Sequence, residues 1–513
     1  MSLRDRLERQ PPGYDFTIGR ILAIYSGLMV TLLLAALDQT IVATALPKIV
    51  NDLGGISQYS WVFTAYMLTS TVTVPLYGKL GDVHGRKNLF LVAIVLFLAG
   101  SLLCGAATSM TQLVLFRAVQ GIGAGGLFPL SLAVIGNIVP PRDRGRWQGL
   151  IGAVFAASSI IGPAVGGFIV DNTSWRWVFL VNLPVGGVAL FVISITMPRS
   201  RARTKRAIDW SGAGLLAAGT AALLLGLVWG GKDYPWGSPH VIGALVASVA
   251  LLGAFAVVEH RVAEPILPFD ILRNPIVAGS IACMALAGMA MFGTISYVPL
   301  FVQGVIGTSA TSSGVVLTPL MLGAVTTSLL TGQLVSRTGR YRWNAVLGPV
   351  VLTIGMVLLW RMNSSTTNGQ AARNMLIAGV GVGSMMQVFV LSVQNAVPRS
   401  VIGSATALTQ FGRQMGATLG VTIMGVIVNH GLPRGIDLGA EGSTIHRLPA
   451  AERTALAHAI HPAFLATAIV AAGVWVIAVV FVKEQALRRT LDEVSAADAA
   501  AGTPATAGVE SEP

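Results

Sequence analysis

Asp38 is an acid in the middle of Ile21–Leu46, a stretch built almost entirely of apolar or small residues, and the next basic residue is Lys48. A carboxylate at bilayer depth costs several kcal/mol unless it is protonated, paired or hydrated, so the default reading is functional: a proton carrier. A cation of matching depth stands in Leu115-x-Arg117-x-x-Gln120-Gly121-x-Gly123. Arg117 falls about one and a half helical turns inside the far end of its segment, and Asp38 about two turns inside the far end of its own. The depths agree to within about 5 Å, so the two can pair if their helices are neighbours. A neighbouring guanidinium and burial pull a carboxyl's proton affinity in opposite directions, which is the competition a proton carrier needs. The bland alternative is that Arg117 snorkels to the nearer interface.

Three further patterns could move helices. In Gly78-Lys79-Leu80-Gly81-Asp82-Val83-His84-Gly85-Arg86 the glycines Gly78 and Gly85 suit a tight turn between helix ends. Asp82 can accept hydrogen bonds from a neighbouring helix N-terminus, while Arg86 and Lys87 supply positive charge. An ordinary charged loop is the alternative. Gly162-Pro163-x-x-Gly166-Gly167 removes one helix hydrogen bond and permits a bend, and its glycines allow close packing, as do those of Gly412-x-x-x-Gly416-x-x-x-Gly420. Plain helix packing explains either equally well. Cavity candidates for a promiscuous apolar ligand are Tyr66, Met284, Met289, Met291, Tyr297, Met385, Gln387 and Gln394; each can equally be a lipid-facing or packing side chain.

These residues need a membrane scaffold to hold them. Only 11% of the 513 residues are charged and 53% are hydrophobic, against roughly 25% charged in soluble domains. Apolar segments near twenty residues long recur at about 20–46, 58–78, 87–107, 112–138, 146–170, 177–196, 210–230, 239–259, 276–303, 311–334, 343–361, 374–396, 403–428 and 462–482, which makes fourteen spans. With the N-terminus inside, 24 of the 34 Lys and Arg fall on inside segments, 8 fall outside, and Arg117 and Arg413 lie within spans. That asymmetry follows the positive-inside rule and places both termini in the cytoplasm. The net charge of +12 is thus topological. No dense Lys/Arg run with interleaved aromatics suggests nucleic acid. Arg4, Arg6 and Arg9 precede the first apolar run, and Ala43-Thr44-Ala45 resembles a signal-peptidase site. That run is too long for a signal core and contains an acid, so it reads as a retained span. Cys104 and Cys283 sit in apolar segments as small hydrophobes. Residues 430–461 read as the longest outside loop; its His430, His446, His458 and His461 lack ligand-like spacing. From about residue 491 the composition suggests disorder.

The chain repeats itself. Gly332-Gln333-Leu334-Val335-Ser336-Arg337-Thr338-Gly339-Arg340 has the glycine spacing of Gly78–Arg86, and each is followed two spans later by a ladder, Gly121-x-Gly123-x-Gly125 or Gly379-x-Gly381-x-Gly383. The copies differ: Asp82 becomes Ser336, Arg117 becomes Met375, and spans 9–14 hold no acid. The expected architecture is an all-α membrane protein: a cytoplasmic N-terminus (1–19), a six-helix bundle (20–196), a linker with two inserted helices (197–260), a second six-helix bundle (261–485) and a cytoplasmic tail (486–513). Parallel halves with a midplane site are a transporter design.

Together these segments resemble the major facilitator superfamily, and specifically its fourteen-span drug:proton antiporter-2 family of multidrug exporters. Leu37-Asp38-x-Thr40-Ile41-Val42-x-Thr44-Ala45-Leu46-Pro47 is similar to that family's first-span signature. Gly78–Lys87 matches the superfamily's loop signature, Arg117 with Gln120-Gly121-x-Gly123 the span 4 signature, and Gly162-Pro163-x-x-Gly166-Gly167 the span 5 antiporter signature. Ser174-Trp175-Arg176-Trp177-Val178-Phe179-x-Val181-Asn182-x-Pro184 is typical at span 6. The likeness covers about residues 15–485. It implies proton-driven efflux by alternating access, with Asp38 and Arg117 in proton coupling, Asp82 and Arg86 latching the halves on the cytoplasmic side, and Gly162 and Pro163 setting the bend and seal of exchange. Two positions depart from the family: Ser158 replaces a leading glycine, and the extra acids some members carry in later spans are missing.

The reading is therefore a monomeric, multi-pass exporter of hydrophobic or amphipathic small molecules in a bacterial cytoplasmic membrane. It exchanges cargo for protons, makes no chemical bond and needs no cofactor. No Gly-x-x-x-x-Gly-Lys-Ser/Thr element implies nucleotide. One alternative is a dedicated exporter of a single metabolite, lipid or self-made antibiotic; a remote one is a non-transporting receptor or enzyme, for which the loops are too short.

Overall fold

The computed structural model describes residues 18–54, 58, 61–139, 141–197, 209–231, 234–262, 265, 267, 269–307, 310–398, 401–431 and 450–487. Helices account for nearly all of them: α1 (Ile18–Leu53), α2 (Trp61–His84), α3 (Arg86–Ala106), α4 (Met110–Ile138), α5 (Pro141–Asn172), α6 (Trp177–Leu180 continuing past Val181 as Asn182–Thr196), α7 (Trp210–Trp229), α8 (Pro239–Glu259), α9 (Pro275–Phe301), α10 (Ala310–Thr338), α11 (Arg342–Trp360), α12 (Asn368–Ala396), α13 (Ile402–Gly431) and α14 (Ala450–Phe481). Among the described residues twelve are long and apolar enough to cross a membrane; α2 has the length but a more polar composition, and α5 carries side chains outside the described set along its middle. Helices suit lipid because every backbone group is satisfied within the segment. Their starts follow local capping. Ser109, Ser238 and Asn274 each accept a first-turn N–H, and Thr367 with Gln370 forms a capping box. Apolar side chains such as Phe168, Val246, Val249 and Ile469 point outward, as a lipid-facing surface requires.

The sequence repeat is a structural repeat. Within α1–α6, α4 packs on α1, α2 and α3, α1 packs on α5 and α6, and α3 packs on α6; α9–α14 make the corresponding six pairings. The glycine ladders explain the close fit. Residues two apart lie about 200° apart around a helix, so alternate glycines face different neighbours. Gly121 and Gly125 back onto Tyr66 and Ser70 of α2, while Gly123 backs onto Ala93 and Phe97 of α3. Gly379 and Gly383 meet Leu320 and Ala324 of α10, and Gly381 meets Leu352 of α11. The two groups touch through α2 with α13, α5 with α10, α4 with α13 and α5 with α12. α7 and α8 pack on each other, and α7 also rests against α2 and α13.

Several boundaries differ from expectation. α1 continues past Leu46 to Leu53 and α2 runs through Gly78 to His84, so the turn into α3 is the single residue Gly85, whose φ is +87°. Gly339 repeats this with φ +71°. Gly78 is thus a packing glycine inside a helix, not a turn residue. The expected loop 430–461 is largely helical at its edges, since α13 ends at Gly431 and α14 begins at Ala450. Residues 432–449, the N-terminal 1–17 and the tail from 488 lie outside the described set, as does most of the segment around Arg199–Arg206. Past α14, Glu484 accepts from the backbone N–H groups of Tyr341 and Arg342 at the start of α11 (3.1 and 3.0 Å), and the Tyr341 hydroxyl donates to the Lys483 carbonyl at 2.9 Å. Burial pushes that hydroxyl up to about 12, so it stays a donor at any physiological pH.

Candidate functional site

Asp38 and Arg117 meet inside the protein. Both side chains are 0% exposed, and Arg117 Nη1 donates to Asp38 Oδ2 at 2.6 Å. Depth measured from helix ends is a poor guide to this pair, because α1 overshoots its expected end, and the packing of α1 on α4 is what brings the two together. Arg117 does not snorkel. Gln120 Nε2 and Asn182 Nδ2 each donate to Asp38 Oδ1 at 2.8 Å, and Ser101 accepts from the same two amides at 2.7 and 3.2 Å. The carboxylate therefore ties α1 to α4 and α6, with α3 holding the tie through Ser101. Gln120 Oε1 accepts a second bond from Arg117 Nη1 at 2.6 Å, and Arg117 Nε reaches the Val62 carbonyl at 3.3 Å. Arg117 Nη2 makes no hydrogen bond; the guanidinium lies 4.2 Å above the Tyr66 ring centroid, where cation–π attraction offsets part of its desolvation. A buried pair of this kind is strongly destabilised when one partner is removed, by about 3–5 kcal/mol.

The span 5 motif abuts this site. Thr40, two residues beyond Asp38, donates to the Ser158 carbonyl of α5 at 3.2 Å, and a Cβ on Gly162 would collide with the Thr40 side chain. Gly162 therefore sets how closely α5 approaches the acid-bearing stretch of α1. Gly166 is buried, Gly167 faces open space, and Pro163 lies in the helix with its ring outside the described side chains.

The second cluster closes one end of the bundle, here termed the latch end. Asp82 accepts from Gly403 N at 3.1 Å, Ser404 N at 2.7 Å and Ser404 Oγ at 3.0 Å, all at the start of α13. A carboxylate suits a helix N-terminus, with its free N–H groups and positive dipole end. Arg86 holds Asp82 at 2.7 Å and also donates to the Ala133 carbonyl at 2.8 Å; Lys87 donates to the Ser194 carbonyl at 2.6 Å. The related contact was not foreseen. Ser336, which replaces Asp82 in the second copy, donates to Asp143 in the first turn of α5 at 2.5 Å. The acid and the serine have exchanged places. Between these contacts Gln148 Nε2 donates to Gln394 Oε1 at 3.0 Å, and Gln394 Nε2 donates to Thr406 Oγ1 at 3.1 Å and to the Leu132 carbonyl at 3.3 Å. Gly78 rests against Ala407, and Gly332 against Gly145.

Removing either acid's charge should loosen this end. A hydrogen bond to a charged group contributes about 1.5–3 kcal/mol, so Asp82→Asn or Asp143→Asn is expected to raise the population open at the latch end roughly tenfold or more. Val335→Cys, buried beside Gly145, should gain reactivity toward a membrane-impermeant maleimide in those backgrounds. Unchanged labelling would discount the latch.

Toward the opposite end lies a cavity of about 440 Å³ among α2, α7, α9 and α13, walled by Thr64, Met67, Leu224, Trp236, Tyr297 and Thr422 among others. Of the cavity residues expected from sequence, Tyr297 lines it. Tyr66 instead lies under Arg117, and Gln394 belongs to the latch-end seam. Met284 and Met385 are core residues, Met289 meets Gly420 at the α9–α13 crossing, and Met291 and Gln387 are half-buried. Residue type alone did not fix which face each occupies. Ser101, Asp143 and Gln148 carried signals too weak to single out, as polar residues within otherwise ordinary segments, and Ser336 was legible only as the loss of an acid.

With the fold and site in place, residues 28–421 match the Major Facilitator Superfamily profile. The chain belongs to that superfamily of membrane transporters and is a multi-pass membrane protein. Within it, the drug:proton antiporter-2 branch fits. The multidrug transporter protein MdtP of Bacillus subtilis is 38% identical, aligned over 79% of this chain and 75% of its own. Multidrug resistance protein 3 of the same organism is 39% identical over 78% of each. A solved structure of the proton:xylose symporter XylE matches 94% of this chain and 100% of that one with a TM-score of 0.64; at 15% identity it bears on the fold alone.

Proposed function

We propose that this transporter expels hydrophobic or amphipathic compounds across the bacterial cytoplasmic membrane in exchange for protons, by alternating access. The observation that carries the reading is the Asp38 carboxylate, wholly buried and bonded at once to Arg117, Gln120 and Asn182. An ionised carboxylate only accepts hydrogen bonds. A proton would cancel the charge Arg117 is paired with and turn an acceptor into a donor among donors. The tie between α1, α4 and α6 must then rearrange. Proton and cargo each act through different affinities for the two conformers. The energy source is the proton gradient, and no cofactor is assigned.

All fourteen helices are taken as crossings. α2, the less apolar of them, faces the partner group through α13, and α5 faces it through α10 and α12. α1–α6 and α9–α14 then form the two halves, 20–196 and 261–485, and α7 and α8 an inserted pair within 197–260. The latch end is assigned to the cytoplasm with both termini, on the strength of Lys79, Arg86, Lys87, Arg337, Arg340 and Arg342 clustered there. In this conformer the cytoplasmic end is shut and the cavity lies toward the outside. A monomer suffices for every step.

The test is a substrate-dependent pH change in proteoliposomes, scanned over chemically unrelated compounds. Proton movement with several classes supports multidrug antiport. Movement with one class supports a dedicated exporter of a metabolite, lipid or antibiotic. Uphill transport indifferent to the pH gradient would overturn the coupling.

A further inference from the structure

Arg413 is the second intramembrane cation, and the latch, the seam and the Asp38 cluster leave it unused. It lies in the middle third of α13, where Gly288 brings α9 against its backbone carbonyl. Its Nε donates to Gln410 Oε1 at 3.0 Å, and its guanidinium carbon lies 5.6 Å from the ring centroid of Phe128 on α4. It thus reaches from one half of the bundle toward the other. Arg413 enters none of the ion pairs that join Lys48 to Asp52, Arg86 to Asp82, Arg117 to Asp38 and Arg273 to Asp270. Its two terminal nitrogens make no hydrogen bond to the protein, and the side chain is only half-buried despite its depth. Neither nitrogen is among the fully buried unsatisfied atoms, so the fork is not sealed in the core. One turn further along α13, Ala417 lines the 440 Å³ cavity.

We infer that Arg413 is a specificity residue that receives the anionic head, a carboxylate or a like-charged group, of an amphipathic cargo whose apolar body occupies the neighbouring cavity. The inference rests on the efflux reading and names the cargo class for it. An unpaired guanidinium at bilayer depth is costly and marks function by default. Its planar fork matches a carboxylate in two parallel hydrogen bonds. Phe128 on one face supports the cation and offers an apolar surface to what approaches it. The intramembrane acid Asp38 is already matched by Arg117, so the site carries one spare positive charge. Cations are rejected by like-charge repulsion and neutral analogues leave the fork unfilled.

The test uses three pyrene probes of one shape at neutral pH: 1-pyrenebutanoate, the neutral 1-pyrenebutanamide, and (4-pyrenylbutyl)trimethylammonium. Wild-type protein in proteoliposomes is expected to export the butanoate at least about tenfold more efficiently than the amide, with the cation slowest. Arg413→Gln should erase that preference while leaving amide export within about twofold, and Arg413→Lys should restore part of it. Equal treatment of butanoate and amide by the wild type overturns the inference, as does an equal loss of both in Arg413→Gln. Equilibrium binding of the three probes to detergent-purified wild-type protein should show the same order of preference without any variant or gradient, and equal affinities would overturn the inference too. A charge preference in binding with no response of transport to pH would leave Arg413 its role and sink the proton-coupling reading instead.

Discussion

Asp38→Asn is expected to abolish uphill export driven by a pH gradient, by about 100-fold or more, on the scale of losing a proton-transferring group. The side chain keeps its volume and can still accept from Arg117 at the position of Oδ2. It loses the charge and places an amide donor against Gln120 or Asn182, which both donate to Oδ1. Stability falls, with the about 3–5 kcal/mol cost of breaking a buried pair as the outer bound. The protein should still fold, because the proposed exchange itself requires a tolerated neutral side chain at this position. Exchange of labelled cargo at equal concentrations needs no net proton movement and should persist. The measurement is a comparison of gradient-driven export with equilibrium exchange in the same proteoliposomes, beside a size-exclusion check. Export that still follows the imposed gradient would remove Asp38 from the coupling.

Gly332→Val should act as strongly by a steric route. A Cβ at Gly332 overlaps the Gly145 carbonyl and comes to 3.0 Å from Arg146 Cα across the α5–α10 crossing. Overpacking of this kind costs about 1–3 kcal/mol. In the proposed alternating-access cycle the cost falls on the conformer in which the latch end is shut. The shut population should drop about tenfold or more, and export with it. Gly145→Ala is the control, because its Cβ would meet Gly332 Cα at an ordinary 3.4 Å. Spin labels at the exposed Leu150 and Thr338 report the separation of α5 and α10. Longer distances in Gly332→Val, with Gly145→Ala near wild type, are the expected outcome. Identical distributions in all three proteins would mean that this crossing does not gate the cycle.

The extent to which the sequence told this in advance depended on the chemistry of each residue. A lone acid and a lone arginine at similar depth are rare in apolar helices, so Asp38 and Arg117 stood out, and the structure pairs them at 2.6 Å. Gln120 and Asn182 were visible only as motif letters, and Ser101 not at all, because a serine inside a membrane helix is unremarkable. Gly78 read as a turn because glycine serves both turns and close packing; only its neighbour Ala407, more than three hundred residues away, decides between them. The fourteen segments all form helices, but α2 falls short on apolarity, and it packs on α13 of the other group. Met284 and Met385 were chosen by type and landed in the core, since a uniformly apolar helix gives no signal of which face is inside. The loss of an acid at Ser336 was legible. Its replacement by Asp143, on the helix that faces Ser336, was not, because the compensation lies in the other repeat.

That exchange has a consequence for how the protein can diversify. Asp82 and Asp143 both belong to the first repeat, as does the Asp38 cluster, while their neutral partners Gly403, Ser404 and Ser336 belong to the second. The three acids of the proposed drive and latch therefore sit in one inherited block. The other block can drift in what it recognises without disturbing the drive, provided it keeps a helix start and a hydroxyl in place. A chimera joining this first block to the second block of a relative should run on the same fuel and carry the relative's freight.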